Sequence, residues 1–188
     1  MKLFTALKYN AKKGFTLIEL LVVIGILGIL AAALVATIDP FEQLKKAQDT
    51  TTTNILTEFI TSVTRYYTSR TAYPWDTEAD GGADCNLATA PAASALGGAG
   101  STMGDCLDAL INDNELKAAF KSAANLKYVL ITQDTLTNQT IGCFNPQSKS
   151  LLHNTNTKFD INGDEDAVNC GTVALKDAHQ TSCYWCTR

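Results

Sequence analysis

The chain has 188 residues, 46% of them apolar and 18% charged, with 15 basic residues against 19 acidic ones and a net charge of −4. That balance supplies no basic stripe for a phosphate backbone, so nucleic acid is not expected as a partner of the folded part. The length allows one ordinary globular domain in addition to a specialised N-terminus.

The first residues carry Lys2, Lys8, Lys12 and Lys13 and no acid. From Phe15 to Ile38, Glu19 is the only ionisable side chain in 24 positions, and from Leu20 to Ala36 every residue is Leu, Val, Ile, Gly or Ala. As a helix this run reaches about 36 Å, enough to cross a hydrocarbon core of about 30 Å. A helix from a soluble core would show an apolar stripe, whereas this one is apolar all round. The lysines in front should hold the N-terminus in the cytoplasm, giving a single span with N-in and C-out orientation. After the apolar run, AAALVATIDP leads into Pro40 and a helical pattern instead of a convincing signal-peptidase site. The unusual junction lies in front, at Gly14–Phe15, where a cut would remove the lysines and leave the apolar helix on the mature chain.

The residues KKGFTLIELLVVIGILGIL, Lys12 to Leu30, resemble the prepilin leader of type IV pilins and type II secretion pseudopilins. The resemblance runs from about Lys12 to Asp49. It implies a membrane-embedded prepilin peptidase that cuts after Gly14 and methylates the new N-terminus, Phe15. It also makes Glu19 the fifth residue of the mature chain, with Phe15 and Glu19 serving assembly. The implied protein is held in membrane lipid first. An inner-membrane assembly platform then builds it into a helical homopolymer or mixed filament, extracellular or periplasmic.

Physical chemistry gives Glu19 a matching role. An intramembrane acid costs about 2.5–3.5 kcal/mol on insertion scales and usually has a partner or a function. A freed α-amino group, with a reference pKa of about 7.7–8.0, is largely cationic near neutral pH. A neighbouring subunit's Phe15 amine is therefore the natural counter-ion, since the chain's own Phe15 sits one helical turn away. The plainer alternative is a protonated glutamate near the interface. Gly28, Ala32 and Ala36 add a small-residue stripe that lets helices approach closely. Losing the four leader lysines takes the mature chain to 11 bases against 19 acids, a net charge of −8. That suits a solvated extracellular surface.

Next, Asp39, Pro40 and Glu42 read as N-cap, first-turn proline and capping-box acid, with a break near Ile38. An amphipathic helix over 39–71 follows, its stripe formed by Ile55, Leu56, Phe59, Ile60, Val63 and Tyr66/Tyr67. Tyr73-Pro74 ends it, in a turn similar to one common after the pseudopilin helix. From Asp76 to Gly104 the Gly/Ala/Asp-rich sequence reads as a surface connection. Cys106 to Phe120 shows a short helical pattern through Leu107, Leu110, Ile111 and Leu116. Lys127–Thr132 and Gln139–Phe144 read as strands, with a further one at Lys158–Ile161.

The expected fold is α+β and type IV pilin-like: a long N-terminal helix, its first half transmembrane, packed on a small antiparallel sheet. Its parts are a leader (1–14), a transmembrane assembly helix (15–38), a helical continuation (39–71) and a disulfide-bonded extracellular head (72–188).

Six cysteines in an exported chain predict three disulfides. Cys85 and Cys106 bracket the Gly/Ala loop and are expected to pair. Cys143, Cys170, Cys183 and Cys186 leave three connectivities open, and bonds that tie the tail to the sheet are preferred. CYWC as a redox site would need a helix after Cys186, and a zinc site would need a second such pair. Asp160, Asn162, Asp164 and Asp166 alternate in FDINGDEDAV, a spacing of oxygen ligands that suits Ca²⁺. The EF-hand pattern fails there, with Glu165 at its glycine position and Gly171 at its glutamate position; the other reading is a solvated acidic turn. No other cofactor is expected. His153 and His179 read as surface histidines.

The expected function is that of a non-enzymatic structural filament subunit. The alternatives are a pseudopilin of a type II secretion or DNA-uptake (competence) system and a membrane-anchored extracellular binding domain that never polymerises.

Overall fold

A computed structural model of the chain describes residues 14–37, 39–76, 85, 91, 93–97, 101, 103–134 and 136–187. The four leader lysines and most of the Asp76–Gly104 connection lie outside these residues. The chain divides into two compact units, Met1–Pro40 and Phe41–Arg188.

The first unit contributes helix α1, Leu17–Thr37. Its stretch Leu17–Val35 has 19 residues and a mean hydropathy of 2.8, and none of it is buried. At about 1.5 Å per residue it is about 28 Å long, close to the thickness of a hydrocarbon core. The helix stops ahead of Asp39-Pro40, and helix α2 (Pro40–Arg70) opens on the proline, where a missing N–H costs nothing.

Helix α2 buries Ile55, Leu56, Phe59, Val63 and Tyr66, the expected stripe less Ile60 at its margin and Tyr67, which is exposed. Its threonines turn their hydroxyls inward on the helix: Thr50, Thr51, Thr52, Thr53, Thr57, Thr61 and Thr64 each donate to the carbonyl four residues back. Thr71, in the left-handed region at φ 55°, ends the helix and donates its N–H to Tyr67 O. Beyond it, Tyr73 stacks between Tyr67 and Trp75, and the buried Trp75 indole donates to Gln133 Oε1 at 2.9 Å.

Five strands form one antiparallel sheet: β1 (Ser94–Ala95), β2 (Leu130–Gln133), β3 (Thr140–Phe144), β4 (Thr157–Phe159) and β5 (Tyr184–Thr187), in spatial order β1-β2-β3-β5-β4. Helix α2 lies on one face. Gly142 of β3 makes this possible, because a Cβ there would collide with the Leu56 side chain. Two acids of α2 lock the contact. The buried Asp49 carboxylate accepts from Gln147 N (2.9 Å), Ser148 N (2.8 Å) and Ser148 Oγ (2.6 Å), and Glu42 accepts from Lys149 N (2.6 Å). The other face carries Ile141, Cys143, Phe159 and Cys186 as a small second core.

Three sequence expectations need correction. The helix expected over Cys106–Phe120 is α3, Met103–Asn112. Asn114, at φ 60°, turns the chain back so that the N–H groups of Glu115 and Leu116 both reach Leu110 O, and Leu116 enters the core from a loop. The strand expected to begin at Lys127 begins at Leu130, since Leu126–Tyr128 is a 3₁₀ turn. The supposed surface connection contributes β1, and β5 has no counterpart among the strands expected from sequence. Three short helices complete the head: α4 (Lys149–Leu152), α5 (Ala167–Cys170) and α6 (Val173–Ala178).

Candidate functional site

Helix α1 starts one residue after Thr16, leaving Gly14, Phe15 and Thr16 outside it. Thr16 is the N-cap. The Glu19 N–H donates to Thr16 Oγ1 at 3.3 Å, while the Thr16 N–H and hydroxyl donate to Glu19 Oε2 at 2.9 and 2.8 Å. This is a capping box, in which side chains three residues apart satisfy each other's backbone donors at a helix start. Sequence reasoning missed it, although Thr-x-x-Glu ahead of an apolar run is its signature. Glu19 thus has a task within its own chain. Both of the Thr16 donors converge on Oε2, which leaves Oε1 outside the capping box.

The Gly14–Phe15 junction is open. The Phe15 side chain is 85% exposed. A Cβ built on Gly14 meets nothing within 4 Å. The fold therefore makes no steric demand for glycine at this position. The same is true of Gly28, in the small-residue stripe of α1.

In the head, Cys85 is bonded to Cys106, Cys143 to Cys186, and Cys170 to Cys183. Cys143 and Cys186 face each other across β3 and β5, so this bond does tie the tail to the sheet. CYWC contributes one half to each of two disulfides, and its first cysteine leads into a strand.

Two acids of the turn, Asp160 and Asp166, bond within it. Asp160 Oδ1 accepts from Asn162 N and Asp164 N, both at 2.9 Å. Asp166 caps α5, accepting from Asn169 N at 3.0 Å and Asn169 Nδ2 at 2.7 Å, and these bonds hold its carboxyl below the usual carboxylate pKa. Glu165 pairs with Lys158 at 2.6 Å. Gly163, at φ 83°, brings the turn down on Ile141, Thr132 and Cys143, so the turn roofs the second face of the sheet. Among the described residues no three His, Cys, Asp or Glu side chains converge on a common point. His153 is paired with Asp177 at 2.7 Å.

No curated protein and no solved structure matches the chain. Residues 9–35 match the prokaryotic N-terminal methylation motif, a match that spans the Gly14–Phe15 junction, the capping box and most of α1. That motif belongs to a structural class and not a catalytic one. With the apolar helix behind it and an α+β head beyond, the chain carries the prepilin motif of type IV pilins and pseudopilins.

Proposed function

We propose that this precursor matures into a structural subunit of a type IV pilus-like filament. A prepilin peptidase cuts between Gly14 and Phe15 and methylates the Phe15 amine. Helix α1 waits in the cytoplasmic membrane, N-in and C-out, and an assembly platform then moves it into a helical polymer. The observation that carries this reading is the arrangement at the start of α1: an accessible Gly14–Phe15 bond outside a capped helix, and a glutamate whose Oε1 the cap does not use. Glycine at 14 answers to the peptidase, since the fold has room for a side chain there. Oε1 of Glu19 is the acceptor for the Phe15 amine of a neighbouring subunit, in surroundings where an ion pair is weakly screened.

The capping box also favours a second reading. In a chain that is anchored and never polymerises, Glu19 would still be useful as a helix cap. Glu19→Gln separates the two, because glutamine keeps the capping box but carries no charge. In a filament subunit, Glu19→Gln and Glu19→Ala both leave insertion and leader removal intact and abolish surface filaments, with cleaved subunit collecting in the membrane. Normal filament yield from Glu19→Gln would refute the ion-pair role. Intact mass of the native protein tests the processing step: a methylated chain starting at Phe15 is expected, and one retaining Met1 would overturn it.

A further inference from the structure

Helix α6 carries a lysine in an unusual setting. Lys176 is 5% exposed, and among the described residues its ammonium donates to a single acceptor, the Asn154 carbonyl, at 2.6 Å. An ammonium has three donors and a charge that is costly to bury without a counter-ion. Among the described residues no carboxylate forms an ion pair with it. Two acids of this region are committed elsewhere: Glu165 holds Lys158 at 2.6 Å, and Asp177, next to Lys176 in sequence, holds His153 at 2.7 Å. Burial lowers the Lys176 pKa, and no neighbouring acid offsets this.

The same lysine lines a cavity of about 370 Å³ beside α5 and α6, together with His153, Thr155, Thr172, Val173 and the Lys158–Glu165 ion pair. That volume is in the range of small-molecule sites. The lining mixes the Lys176 side chain and two threonines with an apolar wall of Ala167 and the half-exposed Val173.

We propose that this cavity is a binding site for a small organic monoanion, a carboxylate with a short apolar body, with Lys176 as its counter-ion. Charge sets the valence. Lys158 and His153 are already matched by acids, so one positive charge remains to be neutralised. The apolar wall selects an organic anion over an inorganic one, because it can desolvate a hydrocarbon body but offers nothing to a second charge. The Asn154 bond fixes the ammonium and leaves two donors for the carboxylate oxygens.

The test uses the full chain in detergent micelles with ¹³C at the lysine Cε, the Lys176 signal being assigned with Lys176→Arg. Titration with sodium acetate and sodium butyrate, at ionic strength held constant with chloride, should shift the Lys176 signal saturably while the exposed lysines stay put. Butyrate should saturate at a lower concentration than acetate. Both should raise the melting temperature by a few degrees, as a ligand of the folded state does, and Lys176→Met should remove that rise. A shift that grows linearly, or is shared by all lysines, overturns the proposal. So does a melting response retained in Lys176→Met. Sulfate displacing butyrate at lower concentration would overturn the assignment of an organic monoanion. Should Lys176→Met fail to fold, the titration of the labelled wild-type chain still separates saturable binding from none.

Discussion

Helix α1 and the inner face of α2 use similar side chains on opposite terms. In α1, Leu17 is 80% and Ile29 74% exposed, and apolar residues surround the axis. In α2, Leu56 and Phe59 are fully buried at 0% and the opposite face is polar. Burying one such side chain stabilises by about 1.5–3 kcal/mol wherever the water is left behind. The head finds that environment inside itself, while none of Leu17–Val35 in α1 is buried within its own chain. Phe41 and Leu44, 73% and 62% exposed, extend the same demand into the first turns of α2. The stability of the head is therefore a property of one chain, and that of α1 a property of its surroundings.

Substitutions in the head should act there and leave α1 untouched. The largest effect is expected from Cys143→Ala with Cys186→Ala, which opens a loop of 43 residues and should cost about 4 kcal/mol in denaturant unfolding of the micelle-bound chain. Helix content surviving at high denaturant should match α1; its disappearance in the same transition would erase the distinction between the units. Asp49→Ala should cost about 3 kcal/mol, because it strands the buried N–H of Ser148 and that of Gln147. Gly142→Ala should cost about 1–3 kcal/mol by forcing Leu56 off the sheet. Thr71→Gly should stabilise by about 1 kcal/mol, since a β-branched residue now occupies a left-handed position. A calcium chelator should leave the melting temperature unchanged, the acidic turn being closed by its own hydrogen bonds; a fall of several degrees would make it an ion-held turn.

Much of this is legible in the sequence. The span, the Gly14–Phe15 junction and the α2 stripe are periodic or compositional features, which survive any tertiary arrangement. The buried face of α2 follows from spacing alone. What escapes is set by distant partners. Tyr184–Thr187 is read in the sequence for the cysteine spacing of CYWC, and it becomes a strand because β3 and β4 flank it. Asp49 looks like one more polar residue on a helix until the N–H groups of Gln147 and Ser148 close around it. The overlong reading of α3 fails at Asn114, whose tolerance of a left-handed conformation outranks the apolar rhythm that continues to Leu116. In the candidate site the residues themselves are legible, and only the Thr16–Glu19 reciprocity goes unread.

The placing of β5 between β3 and β4 has a consequence for the order of events during synthesis. Among the described residues, strand β4 has no neighbour in the sheet other than β5. Residues 157–159 are therefore made well before the strand that joins them to the sheet, with the local bridge from Phe159 to Glu165 and the bond from Asp166 N to Lys158 O available in the meantime. Strands β1, β2 and β3 can meet α2 in the meantime, and Cys85 can find Cys106 as soon as α3 exists. Cys143 must stay a thiol until Cys186 arrives, while Cys170 and Cys183 become available in between. Synthesis from the N-terminus thus imposes a sequence on oxidation, and the bond that closes the centre of the sheet is the last of the three to become possible.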